Sequence, residues 1–259
     1  MSKIVYVCFK EPDTQSSLKK DIENISKRIM PNNINPAEPK IIEKEGIVYG
    51  LINPVESIEE NDQSVLLGKT FADDEKWWEP LQKHPDGSFA LFRSNKDKVE
   101  VVTDVVGSRS VWYYKDDKMF IASTSQRAII MLIKSFQFNP QVLPWILSSG
   151  GLGFSNAWDK RIRYIPADSS VILDRNTWTI TLKNKPVEFS ASKESDEKHE
   201  EDLSKPFEDT FKAINLDYSK WVLPLSGGYD SRSILCFLNH YNGGVKDLKA
   251  ITWGLVSSR

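Results

Sequence analysis

A β-hairpin is predicted at Ser88-Phe89-Ala90-Leu91-Phe92-Arg93, Ser94-Asn95-Lys96-Asp97 and Val99-Glu100-Val101-Val102-Thr103. The pattern repeats at once in Val111-Trp112-Tyr113-Tyr114, the turn Lys115-Asp116-Asp117-Lys118 and Met119-Phe120-Ile121-Ala122. Polar turn residues between β-branched and aromatic runs are typical of hairpins. Two successive hairpins of this kind predict an antiparallel sheet.

Shorter apolar segments on both sides of these hairpins extend the β-structure. The alternating N-terminal residues 1–9 and the apolar run 47–52 are each predicted to form a strand. Residues 170–174 and 177–181 are predicted to pair with each other. Apolar residues recur at helical spacing over 126–136, which favours a short buried helix there.

A charged run at 193–202 contains no bulky apolar residue, and it is either a linker or the solvated first turns of a helix. Apolar side chains then recur at spacings of 4, 4 and 3, in Leu203, Phe207, Phe211 and Ile214. This spacing predicts one apolar face of a helix. We therefore expect one domain over residues 1–192 and a second over 193–259.

The composition is that of a globular protein, with 40% hydrophobic and 27% charged residues among 259. Lys and Arg number 34 against 36 Asp and Glu, and this balance does not favour a nucleic-acid partner. Two cysteines, Cys8 and Cys236, and three separated histidines predict neither a disulfide framework nor a zinc site. No apolar run approaches the roughly 18 residues of a membrane span, and no signal peptide is recognisable. We expect a cytoplasmic protein without a membrane partner, and homo-oligomerisation stays open.

A glycine-rich loop joins a predicted strand to a predicted helix near the end of the chain. The strand Trp221-Val222-Leu223-Pro224-Leu225 precedes the loop Ser226-Gly227-Gly228-Tyr229-Asp230-Ser231, and the helix covers 232–241. Glycines allow close ligand approach and positive φ, and the N-terminus of a helix favours an anion. Asp230 would repel a phosphate unless a divalent cation bridged the two. The simpler interpretation is a turn with Ser or Asp as an ordinary helix cap.

The loop resembles the pyrophosphate loop of the ATP pyrophosphatase superfamily. Segments before it are similar to the glutaminase-type domain of asparagine synthetases, namely Asp86-Gly87-Ser88-Phe89-Ala90-Leu91-Phe92, Asp104, Gly107, Trp112-Tyr113-Tyr114, Phe120-Ile121-Ala122-Ser123 and Arg163-Tyr164-Ile165-Pro166-Ala167. Thr252-Trp253-Gly254 resembles the second strand of the synthetase domain, which lies over the adenine. This similarity runs from about residue 84 to the end. It implies an α+β first domain of four layers (αββα, N-terminal-nucleophile-like) and the start of an α/β nucleotide-binding domain with a parallel sheet.

The same resemblance implies ATP and Mg2+ as ligands. It implies ATP contacts from Leu225, Ser226, Gly227, Gly228, Tyr229, Asp230, Ser231 and Trp253. Asp230 would also be the magnesium ligand.

The chain departs from this family at its N-terminus. Active glutaminases of the family begin Met-Cys-Gly-Ile and use the cysteine as nucleophile, whereas this chain begins Met1-Ser2-Lys3-Ile4. The hydroxyl of Ser2 is a much weaker nucleophile than a thiolate unless a base activates it. The family's Arg-Gly-Pro-Asp and Asn-Gly-Glu motifs have no recognisable counterpart, and Asp73 is the one candidate for the acidic substrate-binding residue. We expect no glutaminase activity.

These features favour an ATP-dependent ligase similar to asparagine synthetase, acting on small-molecule carboxylate and amine substrates. It would adenylate the carboxylate, release pyrophosphate and form an amide bond. The sequence ends at Arg259, before the later motifs of the family, so we expect either a fragment of a longer polypeptide or a short pseudo-enzyme. The alternative is a non-catalytic nucleotide-binding or regulatory module of the same fold. A tRNA-modifying thiolase is disfavoured by the net charge and by Cys236, which we expect to be buried.

Overall fold

The computed structural model describes residues 2–11, 18–55, 57–71, 75–153, 155–185, 190–191, 193–214 and 216–253. The chain divides into two compact units, Met1–Val187 and Glu188–Arg259. Asp73 and Gly254, which the sequence analysis singled out, lie outside the described residues.

Two six-stranded antiparallel sheets make up the first unit. The first sheet contains, from edge to edge, β10 (Arg163–Ile165), β8 (Val111–Lys115), β9 (Met119–Ser123), β1 (Lys3–Phe9), β3 (Ile47–Ile52) and β2 (Lys40–Lys44). The second contains β12 (Thr179–Asn184), β11 (Ser169–Asp174), β7 (Lys98–Thr103), β6 (Gly87–Ser94), β5 (Ser64–Thr70) and β4 (Ile58–Asn61). The predicted hairpins are confirmed as β6–β7 and β8–β9, and the predicted pair near 170–181 is confirmed as β11–β12.

The main hydrophobic core lies between the two sheets. Alternate residues of β1 belong to two different cores, because successive side chains of a strand point to opposite faces of the sheet. Ile4, Tyr6 and Cys8 belong to the core shared with the second sheet. Val5 and Val7 belong to a separate core on the opposite face of the first sheet.

Helices α1 (Leu18–Ile29) and α2 (Gln126–Ile133) cover this opposite face of the first sheet. The two helices and the sheet approach closely at Gly50 of β3. A β-carbon at Gly50 would lie 2.5 Å from Cγ2 of Ile22, so only glycine fits beneath α1. A further helix, α3 (Val142–Ser149), buries only Val142. Apolar residues at helical spacing, Leu18, Ile22, Ile25 and Ile29, also form one face of α1, but the sequence analysis predicted only α2.

The outer face of the second sheet has no equivalent helical layer among the described residues. A small cluster there contains Trp77, Phe89, Leu91 and Val102, and Trp77 belongs to a single 3-10 turn, Glu75–Trp78. The expected αββα arrangement is therefore wrong for the described chain, which has helices over one sheet only. Tight turns join β6 to β7 and β11 to β12, and the longer connection between β5 and β6 contains only the 3-10 turn Glu75–Trp78 among its described residues.

The second unit contains α4 (Asp196–Ala213), β13 (Val222–Pro224), α5 (Tyr229–Tyr241) and β14 (Lys249–Ile251). The charged run forms the solvated first turns of α4, and Ser195 caps this helix by accepting a hydrogen bond from the N–H of Lys198. Helices α4 and α5 pack through aromatic rings, with the centroids of Phe211 and Phe237 5.1 Å apart. None of the helices in the described ranges has the length and apolar character needed to cross a bilayer.

The expected parallel nucleotide-binding sheet is also wrong. Strands β13 and β14 do run parallel, but each has three residues and their sheet has only these two strands among the described residues. A doubly wound sheet requires several parallel strands covered by helices on both faces. The fold described here consists mainly of antiparallel sheet.

Candidate functional site

The glycine-rich loop connects β13 to α5. Leu225, which directly precedes the loop, is held at the end of the strand pair, because its N–H donates to the carbonyl oxygen of Ile251 at 2.7 Å. Helix α5 begins at Tyr229, so Tyr229, Asp230 and Ser231 form its first turn. The sequence therefore predicted the strand, loop and helix in the correct order.

Two serines close the loop on itself. Ser231 Oγ accepts a hydrogen bond from the N–H of Ser226 at 3.1 Å and lies 2.9 Å from Ser226 Oγ. The N–H of Gly228 donates to Ser226 Oγ at 3.2 Å. Ser231 Oγ also lies within donating distance, 3.3 Å, of the carbonyl oxygen of Ser226. Both hydroxyls are therefore engaged within the loop, and either can be the donor between them.

Open space lies beside the two glycines. A β-carbon built on Gly227 meets no atom within 4 Å, and one on Gly228 meets only Ser226 Oγ at 3.3 Å. The expectation that these glycines adopt positive φ is wrong, because φ of Gly228 is −78° and Gly227 is absent from the positive-φ residues. Their contribution is the empty volume that a missing side chain leaves next to the backbone.

The N-terminus of α5 faces this volume without a side-chain cap. Gly228 is the N-cap residue and has no side chain to accept a hydrogen bond from the first turn. The first N–H groups of a helix carry partial positive charge and favour an anion. Asp230 is exposed in the same turn and forms no ion pair within the described ranges. It is therefore available to a cation that also binds the anion.

Arg232 stabilises the loop rather than extending away from it. Its Nε donates to the carbonyl oxygen of Gly228 at 3.1 Å and its Nη2 to that of Gly227 at 3.4 Å. The guanidinium carbon lies 4.8 Å from the ring centroid of Tyr229, which is 82% exposed. This cation–π contact and the two hydrogen bonds place a positive charge beside the loop.

Trp253 follows β14, at the same edge of the strand pair as the loop. Because β13 and β14 are parallel, their carboxyl ends meet at one edge. The indole is 70% exposed, so its faces are accessible to a ligand.

Cys236, expected to be buried, is exposed on α5 instead. The state of Cys236 is therefore no argument against a tRNA-modifying thiolase. The net charge of the chain is the remaining argument against that function.

Ser2 lies half-buried immediately before β1. Its Oγ donates to the backbone carbonyl oxygen of Asn53 at 2.8 Å. A carbonyl oxygen is not a base that removes the hydroxyl proton, and no hydrogen bond joins Ser2 to a histidine or a carboxylate in the part of the chain that the structure describes. Burial lowers the pKa of the neighbouring Lys3, and the positive charge of Arg109 lowers it further.

Cys8 is a core residue. It is fully buried in β1, and burial raises the pKa of its thiol to about 11. A thiol of that pKa is almost entirely protonated near neutral pH.

A buried ionic cluster on the second sheet was missed by the sequence analysis. Arg93 and Glu100 are paired residues of β6 and β7, and both are almost completely buried. Arg93 donates to Glu100 Oε2 from Nε at 2.9 Å, while His84 Nε2 lies 3.6 Å from Oε1. Burial alone would raise the pKa of Glu100, but the hydrogen bond from His84 and the charge of Arg93 lower it to about 2. The sequence signal that could have revealed this cluster is the opposite charge of Arg93 and Glu100, which lie across the predicted hairpin.

Comparison with solved structures gives distant structural likeness only. No family model matches the sequence, and no curated protein matches it. A solved structure of glutamine phosphoribosylpyrophosphate (PRPP) amidotransferase from B. subtilis, complexed with ADP and GMP, aligns with a TM-score of 0.41 and 8% identity. The alignment covers 96% of this chain, which spans 65% of that structure's chain. At this TM-score the likeness supports neither a shared fold nor a shared function.

Proposed function

We propose that the loop from Ser226 to Ser231 binds the phosphates of ATP in an ATP-dependent ligase similar to asparagine synthetase. The observation that carries this proposal is the uncapped N-terminus of α5 facing open space beside Gly227. Backbone N–H groups at a helix N-terminus bind phosphate without any cationic side chain.

Asp230 is compatible with a magnesium ion bound together with the nucleotide. Mg2+ is commonly held by one or two carboxylates plus substrate phosphates, so a single exposed carboxylate in the first turn is a suitable ligand. When bound, the ion would neutralise phosphate charge beside Asp230. Trp253 is a candidate to stack on the base, because its exposed indole lies at the same edge of the strand pair.

The reaction that we propose has two steps. A carboxylate oxygen attacks the α-phosphorus of ATP, the bond to the β-phosphate bridging oxygen breaks, and pyrophosphate leaves. The nitrogen of an amine then attacks the acyl carbon, AMP leaves, and the amine loses a proton. The loop would hold the leaving pyrophosphate, whose developing charge the helix N-terminus stabilises. We expect no ammonia from glutamine, because the Ser2 hydroxyl donates to a backbone carbonyl oxygen and has no hydrogen bond to a base among the described residues.

One observation favours a second candidate, a module that binds nucleotide without turning it over. The described residues contain no group of three or more histidine, cysteine, aspartate or glutamate side chains that would hold a metal. A site with several carboxylates is therefore not assembled within them, and Asp230 would act alone. ATP–pyrophosphate exchange separates the two candidates, because only the ligase returns labelled pyrophosphate to ATP in the presence of a carboxylate substrate.

Calorimetry of the full chain with Mg–ATP tests the binding site. Gly227→Val should reduce affinity at least tenfold, because its side chain would fill the open space while meeting no protein atom. Asp230→Asn should weaken Mg–ATP binding but leave metal-free pyrophosphate binding unchanged or tighter, since it removes a negative charge. Asp209→Asn on α4 is the matched control and should bind like the wild type. Equal Mg–ATP affinity in all four proteins would show that the loop is only a turn.

A further inference from the structure

A cavity of about 620 Å3 opens on the bare outer face of the second sheet. Cavities of 300–1,000 Å3 are typical of small-molecule sites. The residues that line it include Leu81, His84, Glu100, Ser170, Lys183 and Lys185. All of them belong to the first unit, so this cavity is separate from the loop proposed to bind ATP.

The strand register shows how the floor of the cavity is built. Ser170 of β11 lies opposite Lys183 of β12 on one side and Val102 of β7 on the other. Glu100 lies two residues before Val102, and so on the same face of the sheet. Diagonal neighbours of this kind have β-carbons about 7 Å apart. The hydroxyl of Ser170 and the carboxylate of Glu100 thus lie on neighbouring strands and on the same face of the sheet.

Ser170 has a buried hydroxyl without a hydrogen-bond partner among the described residues. The residue is 1% exposed, and its Oγ is buried without a hydrogen-bond partner in the structure. Buried side-chain hydroxyls nearly always have a partner, because leaving one unsatisfied is costly. A ligand seated on the floor of the cavity would supply the missing partner.

The carboxylate of Glu100 is held in place by hydrogen bonds, and its charge is neutralised by Arg93. Its Oε2 accepts hydrogen bonds from the N–H of Leu81 at 2.6 Å and from Arg93 Nε at 2.9 Å. Arg93 also donates to the carbonyl oxygens of Trp77 and Gln82, so the guanidinium cannot move away without losing three hydrogen bonds and the 2.8 Å contact of Nη2 with Glu100 Oε2. The buried pair therefore contributes no net charge to the cavity.

The remaining charges favour an anion. Three lysines, Lys83, Lys183 and Lys185, line the cavity together with two aspartates, Asp86 and Asp168. Among the described residues none of these five forms an ion pair. The lysines outnumber the aspartates, so the cavity is positive overall.

We propose that this cavity binds a small molecule through an oxyanion group, a carboxylate or a phosphate, held by Lys183 and the hydroxyl of Ser170. Lysine and hydroxyl groups donate to either oxyanion, and a charge-assisted hydrogen bond is roughly twice as strong as a neutral one. The other end of the ligand would reach towards Glu100.

Titration of the isotope-labelled full chain with inorganic phosphate, and separately with succinate, tests this by amide NMR. Both are small oxyanions, and the tighter one identifies the group that the cavity prefers. We expect saturable shifts of the amides of residues 81–86 and 168–170. Lys183→Gln and Ser170→Ala should each weaken binding about tenfold or more, as expected for a charge-assisted bond. Lys118→Gln, which removes an exposed lysine from a hairpin turn of the first sheet, should leave binding unchanged.

The free Ser170→Ala protein provides a second measurement. Removing a hydroxyl that has no partner should leave the melting temperature unchanged or raise it, whereas a structural hydroxyl would lower it on removal. Gly227→Val should not alter shifts in the cavity, which separates this site from phosphate bound at the loop. Absence of saturable shifts at 81–86 and 168–170 with either anion, or equal weakening by Lys118→Gln, would overturn the proposal.

Discussion

Replacement of Glu100 by glutamine should destabilise the first unit strongly, because it leaves the Arg93 guanidinium buried and unpaired. The pKa of Glu100 falls from an ordinary 4.5 to about 2 on folding. One pKa unit corresponds to about 1.4 kcal/mol, so the ionised carboxylate contributes about 3 kcal/mol at neutral pH. Breaking a buried ion pair by removing one partner costs about 3–5 kcal/mol, which agrees with this magnitude.

The effect should depend on pH in a defined direction. A carboxyl whose pKa is lower in the folded than in the unfolded state stabilises the protein above the unfolded pKa. Its contribution is lost as the pH falls through the folded pKa. The difference between wild type and Glu100→Gln should therefore be constant above about pH 4.5 and shrink as the pH approaches 2.

Urea unfolding at pH 7 measures the loss, with tryptophan fluorescence as the signal. Trp77 and Trp178 are both buried in the first unit and report on its unfolding. Glu60→Gln is the matched control, because Glu60 forms a 2.7 Å ion pair with the more exposed Lys40 at the surface. Such a pair contributes about 1 kcal/mol or less. A loss below about 1 kcal/mol for Glu100→Gln, or equal losses in the two variants, would refute the buried-pair account.

Three further outcomes are expected. Gly68→Ala should lower the melting temperature markedly, because φ of Gly68 is +134° and a β-carbon there would lie 2.1 Å from the carbonyl oxygen of Ser88. Gly151→Ala is the control and should change the melting temperature little. Ammonia release from glutamine should stay at background in the wild type, and Ser2→Ala and Ser2→Cys should not change it, so activity abolished by Ser2→Ala would contradict this. ATP should perturb tryptophan fluorescence and Trp253→Phe should remove much of the change, so an undiminished response in that variant would count against stacking on Trp253.

The hairpins were predictable because their signals are local. The turn after Arg93 uses Asn95, whose side-chain Oδ1 accepts hydrogen bonds from the N–H groups of Asp97 and Lys98 at 3.0 and 2.9 Å. Such an Asx turn forms from neighbouring residues alone. The apolar alternation of β1 likewise predicted a strand, and the structure explains it by two different cores.

The layers were not predictable in the same way. The expectation of helices on both sheets came from a resemblance and not from a helical pattern in the connections of the second sheet. The chain placed its two packed helices on the first sheet, where Gly50 makes room for Ile22. That contact joins residues far apart in sequence, and neither residue signals it alone.

The cluster around Glu100 shows a further limit of the sequence. A charged residue in a strand is typical of the solvent face, so the residue types of Arg93 and Glu100 do not predict their burial. Their burial depends on the 3-10 turn that lays Trp77 over them, and the carbonyl oxygen of Trp77 accepts from Arg93 Nη1 at 2.5 Å. Periodicity within β6 and β7 contains no information about that turn.

The glycine-rich loop differs from both cases, since its proposed chemistry survives the loss of the expected fold. Only two parallel strands of the sheet predicted around it are present among the described residues, yet the loop uses the end of β13, the start of α5 and the hydrogen bonds between Ser226 and Ser231. These lie between Val222 and Ser231, so local sequence forms most of the loop, and the hydrogen bond from Leu225 to Ile251 ties it to β14. The Gly227→Val and Asp230→Asn titrations therefore test phosphate binding at the loop, and this test does not depend on any relationship of the remaining chain to a known family.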